Sequence, residues 1–182
     1  MSKNLAAVLS GGGDATGVWV APKGSTPPAA GAAPTTPWVE LGWLSEDGVS
    51  WDRSEDRKTF RAHQGGTIVK RKTASVDDSI KFQALETNAA TVGLQFKGVT
   101  ATTATGVSTY HVANQTESDE RAFFVRELMD DGSYEEYVIP VGSTESGGIA
   151  YKTDEMTVRE FTLGINGDYD YRTNIPAVVT PV

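Results

Sequence analysis

The sequence predicts a mainly β, antiparallel protein with one short α-helix and an extended arm or tail toward each end. Three observations predict it. The polar stretch from Trp51 to Glu86 has period-two patches, with Ile80, Phe82 and Ala84 alternating with Lys81, Gln83 and Leu85; Asp131-Gly132 stands between two apolar runs; and residues 21–37 hold five of the eight prolines. Alternation marks half-buried strands, Asp-Gly marks a hairpin turn, and proline has no amide to give to a helix or a ladder. With 182 residues, 38% apolar and 22% charged, the chain suffices for one domain with a real core and is short for two. Residues 1–182 are therefore read as a single domain.

Each element follows in order. Residues 1–16 form an N-terminal segment whose apolar run, Leu5-Ala6-Ala7-Val8-Leu9, is too short for a signal-peptide core or a bilayer span. Synthesis in the cytoplasm is the expectation. Gly17-Val18-Trp19-Val20-Ala21 reads as a short strand. The Pro/Ala-rich arm or loop at 21–37 follows, and residues 38–44 read as a second strand closed by the turn signal Ser45-Glu46-Asp47-Gly48. From Trp51 to Glu86 the pattern predicts two long antiparallel strands joined near Gly65-Gly66. The helix is expected from Thr87 or Asn88 to Phe96, with either residue as N-cap. A Thr-rich linker, 100–109, leads back to β structure at Tyr110-His111-Val112.

The hairpin at 122–140 is the plainest local signal. A two-residue turn at Asp131-Gly132 pairs Asp130 with Ser133. That register sets Met129 opposite Tyr134, Glu127 opposite Glu136 and Val125 opposite Val138 on one face, and Leu128, Arg126 and Phe124 opposite Glu135, Tyr137 and Ile139 on the other. Glu127 facing Glu136 is a like-charge pair, mildly destabilising unless the surroundings call for it. Strands are also expected at 150–153 and 158–163, with Asp154-Glu155 between them. The tail, 164–182, carries two prolines near its end and can be an edge strand at most.

Composition closes off several chemistries. Sixteen Lys and Arg against twenty-four Asp and Glu give a net charge of −8, so the chain as a whole repels phosphate and is a poor candidate for ordinary nucleic-acid binding. The absence of cysteine removes disulfides, thiolate zinc sites and thiol nucleophiles. Gly11-Gly12-Gly13-Asp14 lacks the Lys and Ser/Thr of a phosphate loop. His63 and His111 match no zinc spacing. Residues 166–170 have the alternating oxygens of a calcium loop, yet Tyr171 stands where the loop needs Gly and Ala177 where it needs Glu, so the stretch reads as an acidic turn. Asn114-Gln115-Thr116 fits a glycosylation sequon, which has meaning only in a secreted chain. The carboxylate pairs Asp77-Asp78, Asp130-Asp131 and Glu135-Glu136 are neighbours in sequence, and neighbours on a strand point to opposite faces, so none forms an acid/base couple. No catalytic constellation, metal site or cofactor is expected.

Several segments, taken together, resemble the major tail tube proteins of long-tailed bacteriophages, particularly those infecting actinobacteria. The resemblance runs through Val18-Trp19-Val20-Ala21-Pro22-Lys23-Gly24, through Leu41-Gly42-Trp43-Leu44-Ser45-Glu46-Asp47-Gly48-Val49, and through Ala62-His63-Gln64-Gly65-Gly66 with Val69-Lys70-Arg71. It continues in the 122–140 hairpin and the strands to Leu163; His63 departs from it, standing where an aromatic is expected. The resemblance implies a β-sandwich or barrel-like subunit with a flanking helix, six copies to a ring, and rings stacked around a channel for DNA. It further implies a virion location and tape-measure, tail-terminator and distal tail proteins as partners, with no membrane and no specific DNA binding. On this reading Glu127 and Glu136 are candidates to line the channel. Residues 45–62 are a candidate inter-ring loop and strand, with Glu46, Asp47, Asp56 and Arg57 in contact. Trp19, Trp38 and Trp43 are candidate anchors for a neighbouring subunit, or else pin the arm to the protein's own core. The alternative is a β-sandwich binding module, such as a virion decoration or carbohydrate-binding protein, which would need an exposed aromatic platform.

Overall fold

A computed structural model describes residues 8–63, 65–97, 99, 101–112, 119–149, 151 and 156–175. The chain runs β1 (Gly17–Pro22), β2 (Val39–Glu40), β3 (Leu44–Arg61), β4 (Ile68–Ala84), α1 (Ala89–Gln95), β5 (Ala101–Ala104), β6 (Val107–Tyr110), β7 (Glu120–Leu128), β8 (Tyr134–Ser146), β9 (Arg159–Ile165) and β10 (Asp170–Thr173). One antiparallel sheet has the order β2-β1-β7-β8-β9-β4-β3, with β10 beside the first half of β8; β5 and β6 form a separate hairpin.

This sheet closes on itself. β2 pairs with β1, and Leu41 N–H donates to the Val18 carbonyl. Three residues later Leu44 is already opposite Ala84 of β4, and Leu85 N–H donates to Trp43 O. A flat path from β1 through β7, β8 and β9 to β4 would span roughly 19 Å at about 4.8 Å per strand. Three residues reach only about 11 Å even when fully extended. Residues 39–44 therefore act as the closing stave of a barrel, hydrogen-bonded to β1 at one end and to β4 at the other. Gly42, at φ 89°, makes the change of partner. The strand expected over 38–44 is thus two short pieces either side of this glycine.

Two apolar clusters occupy opposite faces of the sheet. Inside the barrel lie Val18 and Val20 of β1, Ile80 and Phe82 of β4, Phe123 and Val125 of β7, Ile139 of β8, and Phe161 and Leu163 of β9, with Leu41 and Leu94. Outside, Trp19, Ala21, Ala122, Phe124 and Val138 are covered by the arm through Trp38. Both faces of β1 and β7 are buried, which is why residues 122–125 read as a continuous apolar run rather than an alternation. Helix α1 sits at the barrel end where β8 finishes: Gln95 Nε2 donates to Gly147 O and Ser146 Oγ to Gln95 O. Its N-cap is Asn88, whose side chain accepts from Ala90 and Thr91 N–H and donates to Leu41 O, tying the helix to the closing stave.

Several expectations are corrected. Residues 45–48 are not a turn ending a strand: they bulge out of β3 between the pairs Leu44–Ala84 and Val49–Phe82, with Gly48 at φ 65°. The turn chemistry is present, and the ladder resumes after it. The linker at 100–109 is the β5–β6 hairpin over its described residues, turned by Thr105 (φ 51°) and Gly106 (φ 77°), two successive positive φ values as a two-residue loop requires.

The β7–β8 register is one residue away from expectation. Leu128 faces Tyr134, Glu127 faces Glu135 and Arg126 faces Glu136. The turn is a three-residue loop closed by Met129 N–H to Ser133 O, with Gly132 alone at positive φ (82°) and the Asp131 carboxylate accepting from Ser133 N–H. One extra loop residue exchanges the faces of a whole strand. A bulge around Pro140 restores the phase further along: Phe123 pairs with Ile139 but Arg121 with Gly142.

β10 forms at 170–173, in and beyond the stretch read as an acidic turn. Tyr151 is outside any strand, and residues 150, 152–155 and 176–182, on which the other strand and tail expectations fall, lie outside the described residues.

Candidate assembly surfaces

The longest feature of the molecule leaves the barrel. β4 pairs with β9 only over residues 79–84, so beyond Ser79 the β3–β4 pair continues alone as a two-stranded ribbon to the turn at Gly65-Gly66 (φ 72° and 65°). Nearly every residue of the ribbon is exposed on both faces. At about 3.3 Å per residue its free part is roughly 30 Å long. No residue between 52 and 78 belongs to either apolar cluster.

Its charge is polarised along its length. From Arg57 to Lys72 there are six Lys or Arg and no Asp or Glu, whereas the base carries Asp52, Glu55, Asp56, Asp77 and Asp78 against Arg53 alone. The base is fastened to the barrel. Arg53 Nε and Nη2 donate to the two Asp78 oxygens, both at 2.7 Å; Tyr169 O–H donates to Asp78 at 3.0 Å; and Trp51 Nε1 donates to Tyr169 at 3.2 Å. The Arg53 hydrogen bonds hold the Asp78 carboxyl below its ordinary value, while burial raises the Tyr169 hydroxyl. At the far end, pleat alternation puts Lys58, Phe60, Lys70 and Lys72 on one face, with Lys58 directly opposite Lys72 and Phe60 opposite Lys70. Lys58 Nζ lies 5.8 Å from the Phe60 ring centroid.

At the other end of β3 is an open cleft of about 850 Å3, formed where residues 42–49 bulge away from the N-terminal segment. Its carboxylates are Asp14, Glu40, Glu46, Asp47, Glu86 and Glu127, and among the described residues no Lys or Arg lines it. Glu86 accepts from Trp43 N–H at 3.0 Å, and Glu127 from the Thr16 hydroxyl at 3.3 Å. Burial pushes the Glu127 carboxyl up, against the pull of its bonds from Thr16 and Gly12. The N-terminal segment forms one wall, held by Gly13 N–H to Leu128 O and by Asp130 N–H to Ser10 O.

The expected site residues are distributed accordingly. Glu46 and Asp47 are exposed in the cleft, and Asp56 and Arg57 are exposed on the ribbon, so the stretch 45–62 unites two surfaces rather than one. Trp43 is 71% exposed at the cleft. Trp19 and Trp38 are buried against Phe124, at ring-centroid distances of 5.6 and 6.3 Å, so in the subunit they pin the arm to the sheet.

Glu127 and Glu136 are not a facing pair. Glu136 is fully buried beneath the arm, its Oε1 accepting from Arg126 Nε (3.0 Å), Arg126 Nη2 (2.6 Å) and Gly31 N–H (3.1 Å). Arg126 also donates to Ala32 O at 2.6 Å. The like-charge argument that nominated Glu136 for a channel wall therefore falls with the register. Sequence reasoning missed the Arg126–Glu136 clamp because that register separated the two residues; Lys58 lay within the expected inter-ring stretch 45–62 and Lys70 within Val69-Lys70-Arg71, but nothing in the sequence brought them and Lys72 onto one face.

Among the described residues no group of three His, Asp or Glu is placed to hold a metal ion, and no helix is long and apolar enough to cross a membrane. Residues 1–166 match the sequence model of a family described as "Phage tail tube protein". No curated protein matches the chain. Among solved structures, a chain from the tail of an empty GTA particle, computed with helical refinement in C6 symmetry, is similar at 14% identity and a TM-score of 0.40, over 88% of this chain and 98% of that one.

Proposed function

The chain belongs to the phage tail tube protein family, and from that premise we propose that its copies stack as hexameric rings into a tube through which viral DNA passes without being bound. It is a structural subunit of the tail tube, and its place is in the phage virion. On this reading it carries out no catalysis, is made in the host cytoplasm, and meets the tape-measure, tail-terminator and distal tail proteins at the ends of the tube.

The observation that carries the polymer reading is the ribbon: a two-stranded excursion with no core of its own is marginal in water and becomes useful when a partner covers it. Transport of DNA is then a matter of electrostatics. With the six Lys and Arg of the ribbon's far end, residues 57–72, set aside, a subunit of net charge −8 has ten Lys and Arg against twenty-four Asp and Glu. A bore walled by that remainder repels phosphate along its whole length and offers no deep well in which the polyanion could lodge.

The test is negative-stain microscopy of the purified, concentrated protein. Hollow tubes whose end-on class averages have six-fold symmetry are expected. Tubes with another symmetry overturn the hexamer, and a protein that stays monomeric at every concentration overturns the tube.

A further inference from the structure

We propose that the cationic end of the β3–β4 ribbon docks into the acidic cleft of a second copy of this chain, joining subunits head to tail along the direction of β3. The inference rests on the tail tube reading and names the surface that receives the ribbon.

Each surface carries charge that the described residues of its own subunit leave uncompensated. Lys58 and Lys72 face each other across the ribbon, a repulsive arrangement, and among the described residues neither has an ion-pair partner. The cleft collects six carboxylates and, among the described residues, no cation. Ser45 Oγ, on its lining, is shut from solvent with no hydrogen-bond partner among the described residues. A large aromatic stands at each surface, Phe60 on the ribbon and Trp43 at the cleft, both well exposed; aromatics of this kind are the usual energetic centres of an interface. The cleft is wide enough to take several side chains.

Geometry decides the occupant. The cleft lies at residues 42–49 and the cationic end at 57–72, at opposite ends of one strand; from Gly48 to Arg61 the separation is roughly 40 Å at about 3.3 Å per residue. A ribbon fastened at its base by Arg53, Asp78, Tyr169 and Trp51 cannot turn back into its own cleft. The complementary surfaces of one molecule are thus satisfied by its neighbours on either side, a heterologous contact that repeats without limit.

The experiment uses the full chain. One variant reverses the ribbon (Lys58→Glu, Lys70→Glu, Lys72→Glu), a second reverses the cleft (Glu40→Lys, Glu46→Lys, Asp47→Lys), and a third carries both sets. All six positions are exposed, and thermal melting checks that each variant folds. Sedimentable polymer is expected to fall at least ten-fold in each single set and to return in the combined chain. Independently, because the chain has no cysteine, Lys70→Cys with Asp47→Cys should give a ladder of disulfide-linked multimers on oxidation, and either change alone nothing beyond a dimer. Tubes that form normally with the reversed ribbon, or wild-type tubes in which the cysteine pair never cross-links, overturn the docking while leaving the tube standing. Wild-type protein that forms no polymer overturns both.

Discussion

Arg126 and Glu136 show how one residue pair can hold an arm that has no secondary structure of its own. Glu136 is wholly enclosed, and Arg126, nearly so, bridges it to Ala32 O while lying 5.3 Å from the Phe124 ring centroid. Removing one member of such a pair strands the other charge, which costs about 3–5 kcal/mol, whereas replacing both by apolar residues of similar volume can be nearly neutral. Arg126→Ala is therefore expected to lower stability by about 3–5 kcal/mol, and Arg126→Met with Glu136→Leu by far less, in denaturant unfolding of the monomer. A double variant as unstable as the single would mean that the arm, not the charge, is what matters. Glu127 makes the opposite case. Burial raises its carboxyl, so the folded state binds that proton more tightly than the unfolded chain does; the resulting stability is complete below the unfolded value of about 4.3 and is lost as pH rises through the folded value. Glu127→Gln should accordingly raise the melting temperature near pH 7, and this advantage should shrink toward zero below about pH 4. An advantage that is constant with pH would contradict the burial argument. The two acids were indistinguishable in the sequence, where each was a glutamate on an expected strand of the same hairpin. What separates them is a single residue in the turn, because Asp131 bonds back to Ser133 and leaves positive φ to Gly132 alone.

Elements whose signals are local were legible, and elements defined by a remote partner were not. β1, the long pair β3 and β4, the helix capped by Asn88 and the β7–β8 hairpin all follow from alternation, capping chemistry or turn residues within a few positions of themselves. Barrel closure has no such signal. Residues 39–44 carry Gly42, which any turn would also accept, and nothing local announces that the carbonyl of Val18 and the backbone of Ala84 and Leu85 stand on either side. The same holds for residues 45–48, whose sequence is that of a chain reversal and whose role is to bulge. The ladder on either side, Leu44 with Ala84 and Val49 with Phe82, draws the chain back to β4 and converts turn chemistry into the wall of a cleft. On the assembly surfaces, the acidic half was visible as Glu46 and Asp47. The basic half was visible as a charge run, but which lysines share a face depends on the bulge between Asp56 and Arg57, which only the pairing reveals.

For the molecule as a whole, the proposed docking assigns folding to the barrel and association to the ribbon. All residues of both apolar clusters lie in the barrel, the closing stave, the helix or the arm, and none lies between positions 52 and 78. Folding free energy, which comes mainly from buried apolar surface, should then be nearly indifferent to the ribbon. Replacing residues 55–76 by Asn-Gly, so that Ser54 and Asp77, already opposite each other in the ladder, are joined by a two-residue turn, retains the Arg53–Asp78 fastening and removes all six cations of the far end. The shortened protein is expected to melt within a few degrees of the full chain, a change of about 1 kcal/mol or less, and to remain monomeric at concentrations where the full chain polymerises, as read by sedimentation velocity. If it failed to fold, the ribbon would be part of the folding unit, and the division of labour between body and appendage would be wrong; if it folded and still built tubes, subunits would be held together by the barrel alone. The expected result, a stable and more acidic monomer, follows from where the apolar residues and the lysines each lie.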